Sequence, residues 1–312
     1  MSRLKMYLRK RYAGHKVARD TKLGYPVWRS WFPWEDVQYV AGEENPDLIV
    51  VMAIKPVKMA LAAQLTGIPI VMQLMDVEFK DHGGAFEELG HIPCIANSVF
   101  TAAIYRDTYG VTSEVIYPFI APNKYKTETT RQNVTFINPV PEKGRDIAIG
   151  IARLCPDIPF AFIEGWPLSR DQRNTLLQLL ADAPNVTLLP PQEDMRRVYG
   201  KCKILLAPSL WAEAYGRVAT EAQFSGIPVV ASNRGGLPEA VGHGGILVDP
   251  NGPLDDWASA VRELWNNPEV YSELATAAQV HSNRSDLEYS MLLNRMEKAF
   301  IRLGNQNPIK TR

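Results

Sequence analysis

At 312 residues, 46% hydrophobic and 22% charged, the chain is long enough for two ordinary domains and too apolar to be disordered. No apolar run approaches the roughly 18 residues of a membrane span, and MSRLKMYLRKRY carries charge without the apolar core of a secretory signal. Cys94, Cys155 and Cys202 are odd in number, widely spaced and free of any CxxC pairing, which predicts buried thiols in a reducing, cytoplasmic setting.

The formal net charge of zero conceals an asymmetry, because residues 1–30 hold nine Lys and Arg against the single acid Asp20. Tyr7, Tyr12, Tyr25, Trp28, Trp31, Phe32 and Trp34 are interleaved with or follow that stretch. Two readings stay open for residues 1–34: a solvated basic face, or contact with an anionic membrane surface at the headgroup level. Nucleic acid is not expected as a partner, since no RNP, KH or helix-turn-helix pattern accompanies the charges.

In chain order, strand-like apolar runs alternate with helical stretches, the pattern of α/β doubly wound domains. The first half predicts strands at 46–53, 68–75, 93–98 and 113–119, with helices over Lys58–Thr66 and Val99–Tyr109. Residues 1–120 are expected as one Rossmann-like domain, and the polar stretch 121–133 as a linker. In the second domain, 134–284, strands are predicted at 134–139, 160–165, 185–190, 204–209, 229–232 and 244–250. Helices are predicted between them over Arg145–Leu154, Arg170–Ala181, Glu193–Lys201 and Arg217–Phe224, with two more over 253–281 broken near Asn267-Pro268. A last amphipathic helix over about Leu287–Leu303 falls in a separate segment, 285–312.

Chemistry concentrates in PSLWAEAYGRVATEAQFSGIPVV, where Glu213 sits in a loop past a buried strand and Glu221 in the next helix. A helix start at the carboxyl edge of a parallel sheet is where open α/β sheets bind ligands, and amides of Gly216, Arg217 and Val218 would face an anion there. Two carboxylates with a phosphate between them suit a sugar nucleotide. Lys143, on the βα loop Asn138-Pro139-Val140-Pro141-Glu142-Lys143-Gly144, can reach diphosphate oxygens as a point charge. Gly235-Gly236 allows close backbone approach, and Gly165-Trp166 ends a strand at the same edge, where it either lines a base pocket or packs.

The run from Pro208 to Pro250 resembles the donor-binding core of the family-4 retaining glycosyltransferases, with their Glu-x7-Glu motif and GT-B fold of two Rossmann-like domains facing a cleft; NPVPEKG resembles the loop that opens their C-terminal domain. The resemblance is specific over about 134–250 and looser over 46–119. It implies that Glu221 binds the donor ribose and Glu213 the transferred sugar. Tyr215, Gly216 and Arg217 would cover sugar and diphosphate, and Lys143 would neutralise the diphosphate. The last helix would return to a shortened N-terminal domain. Asp76, closing a middle strand of that domain, is the third expected catalytic residue. Two positions depart from the pattern: Asn138-Pro139 replaces a Gly-Arg pair, and Met75 stands where a histidine precedes the aspartate, with His82 nearby. No Gly-Gly unit opens residues 1–45.

The expected function is retaining, metal-independent transfer of a hexose from a UDP- or GDP-sugar to a glycan or lipid-linked hydroxyl, with no cofactor. Polysaccharide biosynthesis and attachment to the inner face of a membrane are the expected setting. Two alternatives remain: a nucleotide-sugar-binding subunit that needs a partner for turnover, and a sugar-nucleotide epimerase of similar shape.

Overall fold

The computed structural model describes residues 17–306. The chain forms two compact units. Residues to Ala96, Ile104–Glu114 and those from Met296 make the first, and Asn97–Ala103 with Val115–Arg295 make the second.

The first unit opens with a feature absent from the expected elements, an antiparallel hairpin of β1 (Ala18–Asp20) and β2 (Val27–Arg29). It docks on α1 (Pro33–Glu44), where Trp28 Nε1 donates to Glu44 Oε1 at 2.8 Å and the Trp28 ring meets Tyr39 edge-on. Proline at the first turn starts that helix, and Asn45, left-handed at φ 43°, ends it. A four-stranded sheet follows in the order β3 (Ile49–Met52), β4 (Ile70–Leu74), β5 (Cys94–Ala96), β6 (Ser113–Val115). Its first three strands are parallel, and Val71, Met72, Leu74 and Ile95 are fully buried, as continuous apolar strands covered on both faces should be. Helices α2 (Pro56–Gln64) and α3 (Val99–Tyr109) connect them.

The second unit is built on one parallel sheet. Its strands are β7 (Asn133–Ile137), β8 (Phe160–Ile163), β9 (Val186–Leu189), β10 (Cys202–Ala207), β11 (Val229–Ser232) and β12 (Gly245–Val248). In space they run β12-β11-β10-β7-β8-β9, all neighbours parallel. Chain order thus runs outward from β7 to one edge, then returns to β10 and runs outward to the other. This is the doubly wound arrangement with its switch point between β7 and β10. Helices α4 (Arg145–Leu154), α5 (Arg170–Leu180), α6 (Arg196–Tyr199), α7 (Arg217–Gln223), α8 (Leu237–Val241), α9 (Leu254–Asn266) and α10 (Pro268–Ser282) join the strands or follow the last of them. Phe136, Phe160, Phe162, Leu206 and Trp257 fill the core between sheet and helices. Local signals set the ends: Ser169 and Gln172 form a capping box on α5, and Asn267 accepts from Glu269 N and Val270 N to start α10.

The 121–133 stretch, expected as a linker, is hydrogen-bonded along the second unit. Thr127 N donates to Ser225 Oγ, Thr130 N to Gly200 O and Gln132 N to Lys201 O. Its polar composition reflects these hydrogen bonds as well as solvent. The final helix α11 (Tyr289–Gln306) begins in the second unit and ends in the first, where Arg302 pairs with Glu114.

Within the second unit Glu239 accepts from Val99 N, Phe100 N and Tyr117 Oη, at 3.0, 3.3 and 2.6 Å, and so caps the start of α3 from α8. Burial first, and then the bond to Glu239, raises the Tyr117 phenol above its usual range, so that phenol stays a donor. Replacing Glu239 with alanine strands two amides and one hydroxyl, and is expected to destabilise the protein by about 1–3 kcal/mol in urea unfolding. The three cysteines are buried and unpaired, and burial pushes Cys94 and Cys202 up to about 12. None should react with a thiol reagent at pH 8 until the protein unfolds, which a time course of alkylation followed by mass spectrometry would check.

Candidate functional site

Lys143 and Glu213, seventy positions apart, meet beyond the carboxyl ends of β7 and β10, on the two sides of the switch point. The two loops are tied together by their backbones: Leu210 N and Trp211 N both donate to the Glu142 carbonyl, at 3.0 and 3.3 Å. Gly144, at φ 80°, lets the first loop lie against the second, since a Cβ there would be 1.9 Å from Pro208 O. Lys143 Nζ reaches Glu213 Oε1 at 2.5 Å, and Ser209 Oγ donates to the same oxygen at 2.5 Å. Side-chain exposures of 17% and 15% place the ion pair largely out of water, where its Coulomb attraction is stronger than that of a surface pair. The ammonium also lies 5.4 and 4.6 Å from the rings of Trp166 and Trp211. Trp166, left between packing and pocket lining by sequence, is 45% exposed and forms one wall around the lysine.

Glu221 projects from the middle of α7 into a different environment. Its Oε2 accepts from Tyr199 Oη at 3.0 Å, and Arg217 Nη2 lies 3.6 Å from Oε1. Burial raises its carboxyl above the usual range, while Arg217 and the phenols of Tyr199 and Tyr125 pull the other way. Gly216, at φ 96°, precedes the helix, so the amides of Arg217 and Val218 lie in a first turn whose N–H groups have no acceptor in the helix. At seven residues α7 contributes chiefly those donors, with little axial dipole.

Other expected site residues take more specific places. Asn138 is left-handed at φ 62°, and its Oδ1 is buried without a hydrogen-bond partner among the described residues. Gly165 is needed beside it, since a Cβ there would meet Asn138 Oδ1 at 2.3 Å. A cavity of about 30 Å³ under the two loops is lined by Asn138, Lys143, Ser209, Glu213 and Val218. Gly235 and Gly236 do permit a close approach, but of the protein's own loop: Gly236 N donates to Glu213 O at 2.7 Å, and a Cβ on Gly235 would lie 2.6 Å from Glu213 N. The Tyr215 side chain is buried, bonded to Thr220 Oγ1 at 3.0 Å and to Arg284 at 3.3 Å, which leaves only its backbone for a ligand.

Asp76 belongs to the first unit, after β4, where its Oδ1 lies 3.3 Å from His82 Nε2. His82 is buried, with the Tyr105 hydroxyl 3.1 Å from the same nitrogen. The histidine that sequence could only place near Asp76 is therefore in contact with it. Residues 1–16 of the basic and aromatic stretch lie outside the described residues. Of the rest, Trp31 and Phe32 are half exposed, and Trp34 stacks under Lys55 and Lys58.

Sequence reasoning passed over Ser209, Tyr199, Tyr125, Ser98 and Thr101. Ser98 Oγ and Thr101 Oγ1 donate to the Ala214 carbonyl at 2.5 and 3.1 Å, holding the Glu213 loop from behind. Nothing in the local sequence marks these residues, because each is brought in by tertiary packing.

Residues 138–281 match the family model of the glycosyl transferases group 1. The match covers β8–β12, α4–α10, Lys143 and both glutamates. Among curated proteins, the chain is 33% identical over 189 residues to D-inositol 3-phosphate glycosyltransferase of Rhodococcus erythropolis, covering 55% of this chain and 42% of that one. It is 36% identical over 167 residues to the enzyme of that name from Mycobacteroides abscessus, covering 50% and 37%. It thus spans less than half the length of these relatives. Among solved structures, Anabaena HepE in complex with UDP and glucose superposes with a TM-score of 0.75 at 23% identity, over 86% of this chain and 81% of that one. WaaG, a glycosyltransferase involved in lipopolysaccharide biosynthesis, superposes with a TM-score of 0.65 at 16% identity, over 84% and 80%. The fold class is α/β of the GT-B type. Among the described residues no helix is long and apolar enough to cross a membrane.

Proposed function

We propose that the chain transfers a hexose from a UDP- or GDP-sugar to a hydroxyl of a glycan or lipid-linked acceptor, with retention and without a metal ion or cofactor. The observation that carries this reading is the Lys143–Glu213 pair across the switch point of a parallel sheet, with Glu221 buried one helix away. The family match and the UDP and glucose bound to HepE support it.

In this reading Glu221 accepts from the ribose hydroxyls and the amides of Arg217 and Val218 meet the diphosphate. Lys143 leaves Glu213 for the phosphate oxygens, and Glu213, released, accepts from hydroxyls of the sugar. Charge on the departing diphosphate is met by Lys143 and Arg217, the electrostatic form of catalysis. A double displacement would need a carboxylate nucleophile roughly 5 Å from an acid partner. Glu213 is instead bonded to a lysine and a serine, which suits orienting the sugar during front-face attack. Asp76 with His82 would serve the acceptor side. Lipid-linked acceptors and anionic membrane contact through residues 1–34 belong to the same proposal.

Glu221→Gln tests the donor assignment. Losing a charged acceptor to ribose should weaken donor binding by about 1.5–3 kcal/mol, roughly 10- to 150-fold, in calorimetric titration with UDP- and GDP-sugars. Because burial raises the Glu221 carboxyl, donor affinity should begin to fall at a higher pH than an ordinary carboxylate would give as the solution is acidified. For stability the sign is opposite: the folded state holds this proton more tightly. The protein therefore loses stability as pH rises from the ordinary carboxylate value through the raised one, and Glu221→Gln removes that loss. An affinity unchanged in Glu221→Gln would refute the assignment. A binding subunit without turnover is the second reading. Donor binding without release of nucleoside diphosphate would select it.

A further inference from the structure

Arg131 and Lys203 stand at the amino ends of β7 and β10, the edge of the second unit's sheet opposite the Lys143–Glu213 pair. A six-residue strand at about 3.3 Å per residue puts roughly 20 Å between the two edges. Between these cations, α9 and α10 lies a cavity of about 520 Å³, and none of its lining residues is Asp or Glu. Its floor is aromatic: Arg131 sits 4.8 Å over the Tyr271 ring, and Lys203 lies 5.4 Å over the same ring and 4.6 Å over Trp265. Hydroxyls and amides of Ser225, Ser272, Thr276 and Gln279 line the remainder.

Both cations are held in place and have no anionic partner among the described residues. Among the described residues Lys203 Nζ donates to Trp265 O at 2.7 Å, which leaves two of its three protons without a partner there. The Arg131 guanidinium makes no hydrogen bond or ion pair among the described residues. Burial, and after it the neighbouring Arg131, pulls the Lys203 ammonium below the usual lysine range. The aromatic rings fix both head groups facing the cavity without satisfying their N–H donors.

We infer that this cavity is an anion site for a phosphate-bearing small molecule, separate from the donor site, with Arg131 and Lys203 gripping the phosphate and the hydroxyl and amide wall facing the rest of the ligand. Arginine suits bidentate contact with phosphate, and lysine adds a point charge.

The experiment is a thermal-shift titration with sodium phosphate against sodium chloride at matched ionic strength, repeated with glucose 6-phosphate. Wild type, Arg131→Gln, Lys203→Met and Lys143→Ala are compared. Phosphate should raise the midpoint of wild type and Lys143→Ala alike, while Arg131→Gln and Lys203→Met need about tenfold more phosphate for the same shift. Exposed Arg131 can be replaced without touching the core, so a folding failure of the lysine variant leaves the test intact. A wild-type response in Arg131→Gln, loss of the response in Lys143→Ala, or no response in wild type overturns the inference. If it holds, greater potency of glucose 6-phosphate assigns the cavity to a phosphomonoester, and equal potency assigns it to free phosphate.

Discussion

Lys143→Ala is expected to lower kcat for sugar transfer by about 10²–10³-fold while leaving donor KM within a few-fold, as loss of one preorganised charge at a leaving group does. This ammonium is held at 2.5 Å from Glu213 and walled by Trp166 and Trp211, which positions it before any donor binds. The cost of moving it is a trade of one partly buried anion for another, not desolvation from bulk water. Lys143→Arg keeps the charge but not the compact head, and should recover only part of the rate. Steady-state release of nucleoside diphosphate at saturating donor measures both. A kcat equal to wild type in the alanine variant would remove Lys143 from the chemistry.

Gly144→Ala carries the largest expected cost in stability. The residue sits at φ 80°, which charges alanine about 1–2 kcal/mol. Its Cβ would also fall 1.9 Å from Pro208 O and 2.7 Å from Pro208 C, backbone atoms that cannot swing aside. Overpacking of that kind adds about 1–3 kcal/mol, so a total of about 2–5 kcal/mol should appear in urea unfolding. The only relief is separation of the two loops, which would also draw Lys143 away from Glu213. Activity should therefore fall more than the remaining folded fraction accounts for. A stable, fully active Gly144→Ala protein would contradict the loop geometry.

Continuous apolar runs made the second unit's strands legible to within a residue or two, most plainly the buried FAFI and the largely buried CKILLA. Asn267-Pro268 announced the break between α9 and α10 through cap chemistry and proline geometry. The hairpin at 18–29 and helix α1 were not legible: three-residue strands carry too little periodicity, and Trp28 is fixed by a bond to Glu44, sixteen residues on. The loop positions of Lys143 and Glu213 and the helical position of Glu221 were legible in the sequence. Their mutual arrangement was not, since the 2.5 Å pairing depends on Glu142 O receiving two amides from the other loop. Tyr215 showed the opposite failure, for a loop tyrosine reads as exposed until Thr220 and Arg284 draw it inward. The polar 121–133 stretch read as a linker because its hydrogen bonds to Ser225, Gly200 and Lys201 leave no hydrophobic trace.

The winding of the second sheet has a consequence for assembly. Lysine comes from the half built first along the chain, glutamate from the half built last, and neither half alone places both. A polypeptide interrupted between β9 and β10 would yield two fragments, each retaining three strands and neither able to clasp a nucleotide. Complementation of such fragments, read out by recovery of sugar-nucleotide affinity, would report the docking of β10 against β7 and nothing earlier. Any ligand clasped there braces the seam between halves, so it should slow their parting more than it slows fraying at either outer edge.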